Sequence, residues 1–280
     1  MKAVVIQGKY YNEFTDKIVS WYNSELPDWL IVISCWEDCK IAEKNYETKN
    51  INILRNRYPI LPGPQNINYQ VTTTLAAINY LIKKGCSIVA KTRSDHFIKN
   101  IKNLVNLSLD KIVVLKTNNF SNEPFFICDF FYCGPINKIF WHFNLALINE
   151  PDDRPCFNNP NYYLNMEWQQ IRLKRMMFAE KILAWNYFVW LTGGKKLNWF
   201  AAHYKWYKYL FVNYVHVPVS KYECETIKRY RSLSYIGPEE GSNAFLIFLF
   251  GQVHICIIVI KNRMKLFRFN FWIMVFGNVK

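Results

Sequence analysis

The sequence predicts an α/β fold in which a mostly parallel sheet is flanked by helices. Short runs of purely apolar residues, such as 3–6 and 29–33, are typical of strands that are buried on both faces. Segments with helical spacing of apolar residues alternate with these runs. The chain has 280 residues, of which 51% are hydrophobic and 20% charged, enough to fill the core of one large domain.

The elements follow one another in a regular order. Gln7 and Gly8 end the first strand, Pro27 stops the first helix, and Gly85 follows a helix that begins near Asn66. The predicted strands are 3–6, 29–34, 51–54, 86–91, 111–116, 125–132 and 210–218, and the predicted helices are 15–26, 66–84, 137–148 and 166–190.

The C-terminal half is basic and rich in aromatic residues, and its predicted helical part is 166–190. Residues 244–260 form an apolar run of 17 residues, whereas a membrane-spanning helix needs about 20. Basic and aromatic residues follow, which favours an interfacial segment on an anionic membrane. The alternative is two buried strands. We therefore divide the chain into a domain at 1–235 and a tail at 236–280 that contacts a membrane.

The formal net charge is +14, which indicates a polyanionic partner such as a phosphorylated substrate, anionic lipid or nucleic acid. No recognised nucleic-acid-binding motif occurs, which argues against nucleic acid. The eight cysteines include no Cys-x-x-Cys pair, which argues against a zinc ribbon. The initial apolar run is too short for the core of a signal peptide. We expect a cytoplasmic protein, attached peripherally to the inner face of the membrane.

Six short segments, in order, carry a resemblance to a known family. They are 4–8 (Val-Val-Ile-Gln-Gly), 31–36 (Ile-Val-Ile-Ser-Cys-Trp), 66–70 (Asn-Ile-Asn-Tyr-Gln) with 74–76 behind it, 91–95 (Lys-Thr-Arg-Ser-Asp), 128–134 (Cys-Asp-Phe-Phe-Tyr-Cys-Gly) and 179–183 (Ala-Glu-Lys-Ile-Leu). Over roughly residues 1–215 the chain resembles the WavE lipopolysaccharide-synthesis proteins, which look like glycosyltransferases with the GT-A fold. Tyr69 stands where that family usually has an arginine.

The resemblance implies a glycosyltransferase that transfers a sugar from a sugar nucleotide during synthesis of lipopolysaccharide or another surface polysaccharide. The implied partners are a sugar-nucleotide donor and a lipid-linked or glycan acceptor. Two other classes stay open: a non-catalytic basic protein that binds nucleic acid, and a family member that keeps the fold without the activity.

Arg93 and Asp95 follow a predicted strand, at the sheet edge where α/β proteins bind ligands. Asp95 is the candidate metal ligand, for an Mn²⁺ or Mg²⁺ cofactor, because hard cations prefer oxygen. Arg93 is a candidate for binding the diphosphate of the donor through its planar fork. Alternatively, the two residues form an ion pair that caps the loop. The neighbouring His96 is expected to be a loop histidine rather than a ligand.

Asp129 and Glu180 are the candidate catalytic carboxylates, since sugar transfer needs a group that accepts the proton of the acceptor hydroxyl. Asp129 lies among aromatic residues, where a carboxylate is costly unless it is paired or functional. The alternatives are an Asp129 bound to backbone amides in a turn and a Glu180 that is solvated or paired with another element.

Five residues are candidates for substrate binding, each with a structural alternative. Gln7 and Gly8 suit a close approach to the nucleotide, although any tight turn uses glycine. Trp36 would stack on the base or cover the core. Asn66 and Gln70 are polar residues at a helix start, where Asn66 would otherwise serve as the N-cap.

Overall fold

The computed structural model describes residues 1–41, 46, 50–108, 110–115, 127–147, 179–194, 197, 199–217 and 224–226. The tail at 236–280 and the predicted helical residues 166–178 lie outside the described residues. The membrane contact predicted for the tail and the division at residue 235 therefore stay predictions.

The described residues form nine strands and six α-helices. The strands are β1 (Lys2–Gln7), β2 (Trp29–Trp36), β3 (Ile51–Asn56), β4 (Ile88–Arg93), β5 (His96–Ile98), β6 (Ile112–Leu115), β7 (Phe131–Pro135), β8 (Tyr214–Val217) and β9 (Cys224–Thr226). The helices are α1 (Asn12–Glu25), α2 (Ile67–Lys83), α3 (Ile101–Asn106), α4 (Ile136–Phe143), α5 (Ala179–Leu191) and α6 (Trp199–Asn213).

Seven of these strands form one sheet in the order β3-β2-β1-β4-β7-β6-β8. Strand β7 runs antiparallel to both of its neighbours, and the other pairs are parallel. The mostly parallel sheet predicted from the sequence is confirmed. Strands β5 and β9 pair separately as a small antiparallel ribbon.

Helices cover both faces of the sheet. Helices α1 and α3 pack on one face against alternate residues such as Val4 and Ile31, while α2, α4, α5 and α6 pack on the other against residues such as Val5 and Val32. The chain runs outward from β1 to β2 and β3, and then returns to place β4 on the other side of β1. The carboxyl ends of β1 and β4 therefore flank a topological switch point, where open α/β sheets bind their ligands.

Several predicted boundaries were wrong, for reasons that lie in the tertiary structure. Strand β4 extends to Arg93 because its parallel ladder with β1 continues to the pair Gln7–Arg93. Strand β7 begins only at Phe131. The preceding Asp129 lies outside the sheet ladder and is bound by the side chain of Arg93 from β4. Residues 210–213, predicted as part of a strand, are the last turn of α6. Helix α6 packs its apolar residues, Leu210 among them, against the core, and a short apolar run of this kind is also typical of a buried strand.

Within the described ranges, no helix has both the length and the apolar character needed to cross a membrane.

Candidate functional site

The carboxyl ends of β1, β2 and β4 are joined by backbone hydrogen bonds. Ser94 N donates to Gln7 O at 2.9 Å, and Gly8 N donates to Ser34 O at 3.0 Å. The sequence predicted that these strand ends meet around one cleft, and the structure brings them together.

Gly8 occupies a conformation that other residues rarely adopt. Its φ is +117°, and a Cβ added to it would lie 3.0 Å from Ser94 Oγ. Glycine is therefore required by the turn that leads out of β1 and passes beside the end of β4. Of the two roles considered from the sequence, the tight turn alone is sufficient to explain a glycine at position 8.

Arg93 binds both carboxylates that the sequence singles out in this region. Its Nε and Nη2 donate to the two oxygens of Asp95 at 2.9 and 3.0 Å, and its Nη1 donates to Asp129 Oδ2 at 3.2 Å. The guanidinium also lies over the ring of Phe130, 5.5 Å from its centroid. The Arg93 side chain keeps 18% of its surface exposed, so it is not fully enclosed by the described residues.

Asp95 is buried and held by a second donor. His96 Nδ1 donates to Asp95 Oδ1 at 2.8 Å, since an ionised carboxylate only accepts. Burial alone would raise the pKa of Asp95, but the hydrogen bonds from His96 and Arg93 outweigh it and hold that pKa well below its usual range. Asp95 therefore stays ionised at physiological pH, and the ion pair proposed as the alternative reading is present.

Asp129 is bound to side chains of β4, which neither sequence interpretation anticipated. Arg93 contacts its carboxylate, and the buried Lys91 ammonium donates to its backbone carbonyl. Its other carboxylate oxygen, Oδ1, has no hydrogen-bond partner among the described residues. Burial lowers the pKa of Lys91 to about 8, although the neighbouring Asp129 opposes that shift.

Glu180 lies in the first turn of α5 and is partly buried. Burial raises its pKa to about 7, the negative charge of Asp129 adds to the rise, and Arg93 and Lys91 oppose it. Glu180 is partly exposed, so it lies between the solvated carboxylate and the buried, paired one that were considered from the sequence. A carboxyl group with this pKa exchanges protons readily at neutral pH.

Trp36 belongs to an aromatic cluster at the end of β2. Tyr58 stacks on its ring at a centroid distance of 4.3 Å and an angle of 19°, and Tyr69 meets it edge-on at 5.3 Å. Trp36 is buried, whereas Tyr58 is exposed. The solvent-facing aromatic surface of this cluster is therefore provided by Tyr58.

The first turns of α2 add uncharged polar groups beside the cluster. Thr73 Oγ1 donates to Gln7 Oε1 at 2.8 Å, which ties α2 to the end of β1. Gln70 is nine-tenths buried, and its Oε1 has no hydrogen-bond partner within the described part of the chain. Asn66 occupies the N-cap position of α2, as considered from the sequence, but with φ +60° it makes no side-chain capping bond.

Three residues near the site escaped the sequence interpretation. Lys91 was assigned only to a strand, although a charged residue ending an apolar strand is itself a signal. His96, considered a loop histidine, is fully buried in β5. Tyr58 had no distinguishing pattern around it.

No group of three or more His, Cys, Asp or Glu side chains within the described ranges is arranged to hold a metal ion. The assignment of Asp95 as a metal ligand stays a prediction.

Comparisons with known proteins identify no family for this chain. No protein-family model and no curated protein matches it, and membership of the WavE family therefore stays a prediction. Mannose-1-phosphate geranyltransferase from Thermus thermophilus is similar in structure with a TM-score of 0.40 and 8% sequence identity, over 80% of this chain and 75% of that one. The nucleoside-diphosphate-sugar pyrophosphorylase from Vibrio cholerae is similar with a TM-score of 0.35 and 9% sequence identity, over 78% of this chain and 93% of that one. Because both TM-scores are below 0.5, neither likeness bears on the function of this chain.

Proposed function

We propose that the protein is a glycosyltransferase that binds a sugar nucleotide at the carboxyl ends of β1, β2 and β4. One observation carries the proposal most directly: the Arg93 guanidinium bridges the carboxylates of Asp95 and Asp129 at this edge of the sheet. Glu180, whose pKa burial raises to about 7, belongs to the same electrostatic cluster. This cluster adjoins the switch point of the sheet, where α/β folds bind nucleotides.

In this proposal each group has a defined task. Glu180 accepts the proton of the acceptor hydroxyl as that oxygen attacks the sugar carbon, and the bond from this carbon to the diphosphate breaks. Arg93 donates to the departing diphosphate, whose negative charge it stabilises. Lys91 is buried, so it contributes its positive charge and, through its hydrogen bond to the Asp129 carbonyl, helps to position Asp129.

The aromatic and uncharged groups suit the rest of the donor. The exposed ring of Tyr58, supported by Trp36, offers a flat surface for a base or a sugar ring. Gln70 offers a buried amide for an uncharged hydrogen-bonding partner. Gln7 holds α2 in place through Thr73 and contributes indirectly.

The acceptor is proposed to be lipid-linked or a glycan of a surface polysaccharide. The basic and aromatic residues at 261–276 suit an anionic membrane surface, which would place the protein near a lipid-linked acceptor.

A thermal-shift screen of sugar nucleotides tests the proposal. A ligand at about 100 times its Kd stabilises the native state by about 2.7 kcal/mol, which raises the Tm by several degrees. Uncharged sugars and an oligonucleotide are the controls, and a shift by the oligonucleotide alone would favour the nucleic-acid-binding alternative.

A turnover assay then separates an enzyme from an inactive family member. Glu180→Gln should bind the donor and lose transfer, while the exposed Glu13→Gln in α1 should keep both. Donor binding without transfer by the wild type, tested with a panel of acceptors, would contradict the enzymatic proposal.

A further inference from the structure

The Arg93 guanidinium occupies the position between the two carboxylates at which a metal ion would be expected. It spans Asp95 and Asp129 with three hydrogen bonds of 2.9 to 3.2 Å, and it binds both Asp95 oxygens. His96 also donates to Asp95 Oδ1. Three of the four carboxylate oxygens that a hard cation would use are thus already bound by a permanently charged group, and Asp129 Oδ1 is the one without a hydrogen-bond partner among the described residues.

The charges of the cluster argue in the same direction. Asp95 and Asp129 offer two carboxylates, and Arg93 and Lys91 supply two positive charges to balance them, while Glu180, whose pKa burial raises to about 7, is only partly ionised at neutral pH. A divalent ion placed here would have to displace the guanidinium and would add positive charge close to Lys91, in a buried region where repulsion is poorly screened. The described donor set therefore does not fit a metal ion.

We propose that the Arg93 guanidinium is the resident cation of this site, so that donor phosphates bind without a divalent metal ion. The proposal rests on the function proposed above and replaces the metal role predicted for Asp95 with an anchoring role. Asp95 and Asp129 orient the guanidinium from behind, and its exposed edge is directed to the ligand.

Titration with Mn²⁺ alone, followed by the loss of the free-ion signal in electron paramagnetic resonance, tests the donor set without any substrate. The wild type should bind Mn²⁺ no more tightly than a Kd of about 1 mM. Arg93→Ala should bind Mn²⁺ at least about tenfold more tightly, since Asp95, Asp129 and His96 become available together.

The same Mn²⁺ titration of Asp95→Asn shows whether Asp95 is a ligand of any Mn²⁺ that the wild type binds. Tight Mn²⁺ binding that Asp95→Asn abolishes would overturn the proposal, because Asp95 would then be a metal ligand. Mn²⁺ binding that Asp95→Asn leaves unchanged would support it, because Asp95 would then not be a ligand. If Arg93→Ala does not fold, the Mn²⁺ titrations of the wild type and of Asp95→Asn still decide whether Asp95 is a metal ligand.

Donor binding separates failure of this proposal from failure of the proposed function. Uridine diphosphate, guanosine diphosphate and their sugar conjugates are titrated calorimetrically in excess EDTA and again with Mn²⁺. Equal affinity in both conditions supports a metal-free site. Binding only with Mn²⁺ overturns the metal-free site and leaves the glycosyltransferase standing, whereas no binding in either condition overturns both.

Discussion

The buried ammonium group of Lys91 donates a hydrogen bond to the backbone carbonyl of Asp129. This bond fixes the chain just before β7 against the face of β4 from which Arg93 also projects. Arg93 can then reach the Asp129 carboxylate, because residues 91 and 93 point to the same face of a strand. One buried lysine thus sets the position of a carboxylate in the candidate site.

Replacing Lys91 with methionine should destabilise the protein although the volume is nearly conserved. The variant loses the bond to Asp129 and leaves that carboxylate with less compensating charge, so the free energy of unfolding should fall by about 2–4 kcal/mol. Urea denaturation measures it, and the exposed Lys83→Met in α2 is the control. Equal stability of the two variants would contradict a role for Lys91 in holding Asp129.

Arg93→Lys keeps the charge and loses the planar fork that binds Asp95 through two parallel bonds. We expect the free energy of unfolding to fall by about 1–3 kcal/mol and sugar-nucleotide affinity to fall as well. Calorimetric titration beside urea denaturation measures both. Unchanged donor affinity with reduced stability would assign Arg93 a structural role only.

Because burial raises the pKa of Glu180, the free energy of unfolding should fall as the pH rises from about 4.5 to about 7. Because its folded-state pKa is raised, the folded protein binds more protons than the unfolded chain within that window. Glu180→Gln removes this dependence and should be more stable than the wild type at pH 8 by on the order of 2–3 kcal/mol. The difference should shrink towards pH 4.5. Parallel urea denaturation curves that keep the same separation at every pH would exclude a raised pKa.

Gly8→Ala should destabilise the protein through its backbone. A φ of +117° is strained for alanine, and the new Cβ would press on Ser94 Oγ. The expected loss is about 1–3 kcal/mol. Combining it with Ser94→Ala relieves the contact and leaves the strain, so the double variant should recover only part of the loss. Full recovery would show that the contact alone requires glycine.

Removal of residues 241–280 should weaken binding to anionic vesicles. Residues 261–268 include four basic side chains, each contributing about 1 kcal/mol near an anionic surface. Sedimentation with vesicles of phosphatidylserine and phosphatidylcholine compares the two proteins, and neutral vesicles are the control. Equal sedimentation of both proteins would contradict attachment through the tail.

The sheet was predictable from the sequence because its signals are local. Continuous apolar runs marked β1, β2 and β4, and polar residues at their ends marked the cleft. The contact between Arg93 and Asp129 was not predictable, because it depends on the antiparallel pairing of β7 with β4. His96 was misjudged for a similar reason: it becomes a strand residue only through its pairing with Thr226.

The small ribbon of β5 and β9 has a consequence for how the protein is made. Strand β5 begins directly after Asp95, and its partner β9 is fastened by Glu225, which binds Lys17 and Lys99 at 2.9 Å each. When a ribosome has released the chain up to Val217, all strands described for the large sheet have been synthesised, but β9 has not. A nascent or proteolytically shortened chain that ends before Cys224 would thus hold a nearly finished domain whose His96–Asp95 corner is still unsupported.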